Sequence, residues 1–226
     1  AEIALQMSQF SVDELERLLR VNAKIAVENY KRYQAFHAEA TPELPALLAY
    51  TGIVFKRLNP KDFSAEDFGY AQEHLRLTSF CYGLLRPLDV IRAYRLEGDV
   101  VLPELGNQTL FSYWRSRLTD TFIEDIRSAG GILCNLASDE MKSLFDWKRV
   151  EKEVHVITPE FQVWKNGKLA SIVIYIKMSR GEMTRFILKN RIENPEDLKS
   201  FSWEGFEFNE SLSNEKKFVF TNGKEI

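Results

Sequence analysis

The sequence predicts an α/β protein of mixed α+β character: a mixed sheet flanked by helices, with a helix-hairpin-helix-like element, in a single compact domain over residues 1–226. Three observations predict it. Segments of helical period interleave with short strand-like runs along the whole chain. An Asn-Gly pair at 166–167 separates two apolar runs, the strongest short-range hairpin signal, because both central positions of a type I′ turn need positive φ. No internal repeat, low-complexity tract or Gly/Ser-rich linker offers a boundary within the 226 residues. A chain of this length buries roughly 70% of its unfolded surface, so neither a disulfide nor a structural metal is needed to hold a core.

The elements follow in order. Ser11-Val12-Asp13-Glu14 has capping-box spacing, and Val12, Leu15, Leu18 and Leu19 then share one helical face. A second helix from about Asn22 turns Ile25, Tyr30, Tyr33 and Phe36 inward. Ala46 to Phe55, broken by Thr51-Gly52, reads as one or two short buried strands, and Asn59-Pro60 turns the chain. Ser64-Ala65-Glu66-Asp67 opens a helix that Phe68, Ala71, Leu75 and Phe80 carry to a stop at Tyr82-Gly83. Thr109 to Ser128 is a long helix with Leu110, Phe111, Trp114, Leu118, Phe122 and Ile126 on its inner side, ended by Gly130-Gly131. Gly131 to Leu136 suits a central strand. The second half is richer in strands, Val154–Thr158, Phe161–Trp164 and Lys168–Lys177, followed by a helix over Glu182–Asn190, a shorter one from Pro195, and an aromatic tail through Trp203, Phe206, Phe208, Phe218 and Phe220.

Composition narrows the function classes. With 45% hydrophobic and 28% charged residues the chain is an ordinary globular one, neither disordered nor fibrous. Its longest apolar run, Ala170 to Ile176 with one Ser, falls far short of the roughly 20 residues a membrane helix requires, so no membrane partner is expected. Two cysteines, Cys81 and Cys134, without framework spacing point to a reducing, cytoplasmic compartment. The three histidines, His37, His74 and His155, lack ligand spacing, so no metal site and no cofactor are expected. The first residue is Ala rather than Met, which suggests processing or a longer parent chain.

Net charge of −3 argues against a general nucleic-acid coat, but its distribution is uneven. From Arg76 to Arg95, four arginines (Arg76, Arg86, Arg92, Arg95) face one acid, Asp89. From Lys177 to Arg191, five bases (Lys177, Arg180, Arg185, Lys189, Arg191) face one acid, Glu182. The rest of the chain is acidic. Two basic segments on an acidic body form an anion-binding cleft if they meet in space, or two solvated faces if they do not.

Three stretches could carry chemistry. Tyr82-Gly83-Leu84-Leu85-Arg86-Pro87-Leu88-Asp89 has the grammar of a helix-hairpin-helix, with Gly for close approach, Arg for charge and Pro at a helix start; the alternative is a plain helix C-cap. Lys177 to Arg185 reads as a strand-to-helix junction whose backbone N–H groups, with Lys177 and Arg180, could hold a phosphate; the alternative is a solvated turn. Asn135, Ser138, Asp139 and Glu140 follow a strand end, where open α/β sheets place their sites, and Asp139 and Glu140 could serve as acid and base or hold a divalent ion. More plainly, Ser138 caps a helix and the acids complement its dipole. No P-loop, GxGxxG or Ser-His-Asp pattern is present.

Together the motifs resemble the bacterial YaaA peroxide-stress family. They are Tyr50-Thr51-Gly52; Phe63 with Ala71-Gln72-x-His74-Leu75-Arg76; Tyr82 to Asp89; Tyr94-Arg95-Leu96-Glu97; Asn135 to Glu140; and Arg180-Gly181-x-Met183-x-Arg185-Phe186-Ile187, in order across nearly the whole chain. The family's opening strand and Ser-Pro-Ala-Lys-Thr-like segment are not in this sequence. The resemblance implies a single-domain cytoplasmic protein of the peroxide response that limits free iron and iron-driven damage, and that binds DNA through a positively charged cleft and a helix-hairpin-helix, here Tyr82 to Asp89. Arg76, Tyr82, Gly83, Arg86, Pro87, Arg95, Lys177, Arg180 and Arg185 are the DNA-binding candidates, acting on the backbone of duplex or branched DNA with little base readout. The alternative is an enzyme for a small phosphorylated or carboxylated substrate, with Asn135, Ser138, Asp139 and Glu140 at the reacting group.

Overall fold

In the computed structural model, which describes residues 2–225, the predicted capping box at Ser11 is formed, and the helix start predicted at Ser64 carries a second one. The Ser11 side chain accepts the Glu14 N–H while the Glu14 carboxylate accepts the Ser11 N–H, and Ser64 and Asp67 make the same reciprocal pair. Each box satisfies two N–H groups that the first helical turn cannot use internally.

In chain order the elements are α1 (Glu2–Met7), α2 (Val12–Leu19), α3 (Ala23–Ala35), β1 (Glu43–Pro45), α4 (Ala46–Ala49), α5 (Ile53–Leu58), α6 (Ala65–His74), β2 (Leu77–Ser79), β3 (Gly83–Leu85), β4 (Val90–Arg92), β5 (Val101–Leu102), β6 (Gln108–Thr109), α7 (Leu110–Ser128), β7 (Ile132–Cys134), α8 (Asp139–Lys142), α9 (Trp147–Glu153), β8 (His155–Lys165), β9 (Lys168–Ala170), α10 (Val173–Asn190), β10 (Phe206–Phe208) and β11 (Lys217–Glu225). The α/β class is therefore as expected. By contacts the chain falls into two units. The first holds Ala1–Ala49, Arg76–Phe122 and Asp139–Trp147; the second holds Tyr50–Leu75, Ile123–Ser138 and Lys148–Ile226.

The first unit is helical with two-stranded pairs. Leu15, Leu19, Ala26, Tyr33 and Phe36 are buried on α2, α3 and the turn after it. β1 pairs antiparallel with β4, β2 with β3, and β5 with β6. Tyr33 is 1% exposed, and its hydroxyl donates to the Arg95 carbonyl at 2.6 Å, so the one polar atom of a buried ring is satisfied.

The second unit contains the mixed sheet, in the order β10-β11-β8-β7 with β9 also on β8. β8 runs parallel to β7 and β11 and antiparallel to β9. Asn166 and Gly167 have φ of 52° and 69°, the left-handed pair that the hairpin signal requires. The aromatic tail forms the core here. Phe161 stacks on Phe220 at 5.5 Å between centroids, and Phe201, Phe206 and Phe218 close around them with Met183. From α10, Ile172, Tyr175, Ile176, Phe186 and Ile187 pack against that cluster at helical spacing.

Five expectations are corrected. Residues 46–55 are not strands but α4 and the start of α5, with Gly52 as the α5 N-cap; α4 packs on β1 and β4 and α5 on α10, an ambiguity that short runs cannot resolve by period. The helix from Ser64 does not reach Gly83. It stops at His74, and Leu75 is extended at φ −101°, ψ 138°. Residues 77–85 form the β2–β3 hairpin, so the Tyr82 to Asp89 segment is turn, strand and turn rather than a helix-hairpin-helix: buried Leu77 and Leu85 pair across the strands, and the Ser79 hydroxyl accepts the Cys81 and Tyr82 N–H groups. The strand expected over Lys168–Lys177 ends at Ala170; Ile172 is the N-cap of α10, and Ile172, Tyr175 and Ile176 pack inward at helical spacing while Val173 and Ile174 are exposed. The Lys177 to Arg185 segment therefore lies within a helix and offers no helix-start N–H groups. Finally, β7 stands at the end of the strand order among the described residues, not at its centre.

Candidate nucleic-acid interface

In the first unit the β2–β3 hairpin is clamped from below. The Trp114 indole donates to the Phe80 carbonyl at 2.8 Å. Gly83, at φ +83°, lies so close to that ring that a Cβ would meet Trp114 Cζ3 at 2.8 Å, which is why Gly stands there. Ser79 shares a hydrogen bond of 2.7 Å with the Tyr94 hydroxyl, and Tyr82 accepts the Arg92 N–H at 2.9 Å through its own. Tyr82 thus secures the hairpin to β4.

After β3 the chain makes a closed turn. The Asp89 carboxylate accepts the Arg86 N–H at 2.7 Å, and the Asp89 N–H returns to the Arg86 carbonyl at 3.1 Å. The turn is tied to α4 through Pro87 O to Leu47 N and Asp89 O to Ala46 N, at 3.0 and 2.8 Å. Pro87 is buried, whereas Arg86 and Leu88 are exposed. Arg86 is therefore presented to solvent by a backbone fixed at both ends. Of the other arginines in this segment, Arg76 is half-buried, Arg92 pairs with Glu43 at 2.8 Å, and exposed Arg95 pairs with Glu97 at 3.1 Å.

In the second unit most of the basic segment has carboxylate partners. The Arg185 guanidinium meets both Asp62 oxygens at 2.7 Å and also donates to the Leu58 and Asn59 carbonyls. Lys189 and Arg191 take the two oxygens of Asp67 at 2.6 and 2.8 Å, and Arg191 lies 4.8 Å over the Tyr70 ring. The Lys189 hydrogen bond, with those from the Ser64 backbone and Arg191, holds the Asp67 carboxyl far below the usual carboxylate range; the Arg185 fork lowers Asp62 in the same direction. Charge counting along the chain missed these acids because they come from the start of α6 and the turn before it, over a hundred residues away in sequence. Lys177 is exposed and Arg180 half-buried. At Gly181 a Cβ would lie 2.3 Å from the Val54 carbonyl, so this glycine sets the close approach of α5 to α10.

The Asn135 to Glu140 stretch is shared between the units. In the second, Asn135 is buried, extends the β7 pairing through its N–H to the Ile157 carbonyl at 2.8 Å, and accepts the Ala137 N–H at 3.3 Å; its Nδ2 has no partner among the described residues. Ser138 is half-buried. In the first, Asp139 and Glu140 open α8, and the exposed Asp139 carboxylate pairs with Lys142 at 2.7 Å. Burial pushes both the Cys81 and the Cys134 thiol up to about 12, so neither is a thiolate at neutral pH. Among the described residues no group of three or more His, Cys, Asp or Glu is placed to hold a metal ion, and no helix is long and apolar enough to cross a membrane.

The sequence pattern of the family described as "Peroxide stress protein YaaA" matches residues 1–212. The chain belongs to this family. It is 92% identical over 223 residues to a UPF0246 protein of Bacteroides thetaiotaomicron, a match covering 99% of this chain and 87% of the relative. A UPF0246 protein of Bacteroides fragilis is 79% identical over 224 residues, with the same coverage. A more distant UPF0246 protein, from Clostridium beijerinckii, is 38% identical over 222 residues, covering 97% of this chain and 85% of its own.

Proposed function

We propose that this YaaA-family chain acts in the cytoplasm during peroxide stress by binding DNA through its phosphates, and so helps to limit iron-driven oxidative damage. The observation that carries the reading is the Arg86 turn: an exposed arginine stands on a backbone already ordered by the Asp89 carboxylate and by α4, where its charge can meet a phosphate. Exposed Arg95, in the same unit, adds charge although it also meets Glu97 at 3.1 Å; in the second unit exposed Lys177 is a separate candidate contact. Arg185, committed to Asp62, is assigned to the fold instead. Contacts of this kind neutralise phosphates and read no bases, so affinity falls steeply with salt and depends little on sequence.

The test is a fluorescence-anisotropy titration of full-length protein against duplex and four-way-junction DNA at rising salt. The reading predicts binding at low salt that weakens linearly on a log-log plot. Flat curves at the lowest salt overturn it. The enzymatic alternative has one observation in its favour, the buried, unpartnered Nδ2 of Asn135, and a small-anion screen read by thermal shift in wild type and Asn135→Leu checks it.

A further inference from the structure

The chain carries no acid between Glu160 and Glu182, a stretch that holds Lys165, Lys168, Lys177 and Arg180. Within it stands the β8–β9 hairpin of the second unit. Lys165 pairs directly opposite Lys168 across the Asn166-Gly167 turn, and Trp164 opposite Leu169. Like charges directly opposed on one face of a strand pair are destabilising, yet both lysines are exposed, with no ion pair among the described residues. The neighbouring indole is also unengaged. Of the four tryptophans, Trp114 donates to the Phe80 carbonyl, Trp203 lies 5.3 Å from the Arg57 guanidinium and Trp147 lies 5.5 Å from the Lys142 ammonium. Trp164 is 38% exposed, and among the described residues its ring meets no cation, no second ring and no hydrogen-bond partner.

We propose that the β8–β9 hairpin is a stacking platform for an unpaired DNA strand, with Trp164 under a base and Lys165 and Lys168 on the flanking phosphates. A solvent-facing indole beside unpaired cations matches the two things a single strand exposes, base faces and phosphates, whereas the bases of a duplex are already stacked on one another. Trp164 and Leu169 lie on one face of the strand pair and the two lysines on the other, all within two residues of the turn. A strand that lays a base on the indole therefore carries its backbone around the tip, within reach of the long lysine side chains. The proposal rests on the reading that this chain meets DNA, but not on Arg86, which belongs to the first unit.

The experiment is fluorescence anisotropy of full-length protein with a labelled oligothymidylate of about twelve nucleotides and, separately, a labelled duplex. Trp164→Ala should weaken the single strand about five- to hundredfold and leave duplex affinity within about twofold, while Trp164→Phe, whose ring still stacks, keeps most of the single-strand affinity. Lys165→Ala and Lys168→Ala should each lower the salt slope on the single strand by about 0.7. Oligothymidylate binding that survives Trp164→Ala overturns the proposal, as do slopes unchanged in both lysine variants and equal losses in Trp164→Phe and Trp164→Ala. Duplex binding without single-strand binding overturns it too and leaves the Arg86 reading standing; no binding to either DNA at low salt overturns both. Binding to phosphatidylglycerol vesicles that is lost in Trp164→Ala, with oligothymidylate binding unaltered, would assign the hairpin to a lipid surface instead.

Discussion

The Arg185 guanidinium meets the Asp62 carboxylate fork to fork, Nη1 on Oδ1 and Nη2 on Oδ2, both at 2.7 Å. Lys cannot reproduce two parallel bonds from a planar group, nor the further bonds to the Leu58 and Asn59 carbonyls. Arg185→Lys should therefore lower stability by about 1–2 kcal/mol, a fall of roughly 3–6 °C in melting temperature, and leave the DNA salt slope unchanged. Thermal melts and anisotropy on the same preparation check both halves.

Asp67 anchors Lys189 and Arg191 and caps α6, with 9% of its side chain exposed. Its folded pKa is depressed, so its stabilisation is fully present above the unfolded carboxylate pKa of about 3.9 and is lost as pH falls through the folded value. Asp67→Asn should destabilise the protein by about 2 kcal/mol at pH 7, and its deficit relative to wild type should shrink as pH drops below about 4. Urea denaturation between pH 7 and pH 3 reads the trend; a deficit that does not change with pH would show that the carboxylate charge is not what matters.

Gly181 tests packing against propensity. In an isolated helix Ala is favoured over Gly by about 1 kcal/mol, but here the new Cβ would sit 2.3 Å from the Val54 carbonyl oxygen, which belongs to backbone and cannot yield cheaply. The clash wins. Gly181→Ala should lose about 2–3 kcal/mol in denaturant midpoint analysis, whereas a gain would mean that α5 can move away freely.

Gly83 makes the corresponding case in the first unit. Its φ of +83° is disfavoured for an L residue, and a Cβ would press on Trp114 at 2.8 Å. Gly83→Ala should be destabilised by about 2 kcal/mol or more and should disturb the indole, visible as a change in near-UV circular dichroism.

The local elements were legible and the long-range ones were not. Ser11-x-x-Glu14, Ser64-x-x-Asp67 and Asn166-Gly167 each carry their geometry in a few adjacent residues, and each is formed. The long helix α7 and the aromatic core of Phe161, Phe206, Phe218 and Phe220 follow from period and composition. The errors fall on short apolar runs, residues 46–55 and 172–176, where β-branched content suggests strands and tertiary packing against the sheet or a neighbouring helix decides for helix. The Tyr82 to Asp89 segment misled for a related reason: a glycine in the left-handed region ends a helix or turns a hairpin equally well, and the Trp114 ring that fixes it is thirty-one residues away. In the site, Arg86 was legible as a base beside a turn, but the partners of Arg185, Lys189 and Arg191 were not, since nothing near them in the chain names Asp62 or Asp67.

The central claim is that Arg86 meets a DNA phosphate. The most direct measurement is the slope of log affinity against log salt for a labelled duplex, in wild type and Arg86→Ala, by fluorescence anisotropy. Loss of one phosphate contact should reduce the slope by about 0.9 and weaken binding several-fold across unrelated sequences. An Arg86→Ala protein with wild-type affinity and wild-type slope would contradict the account.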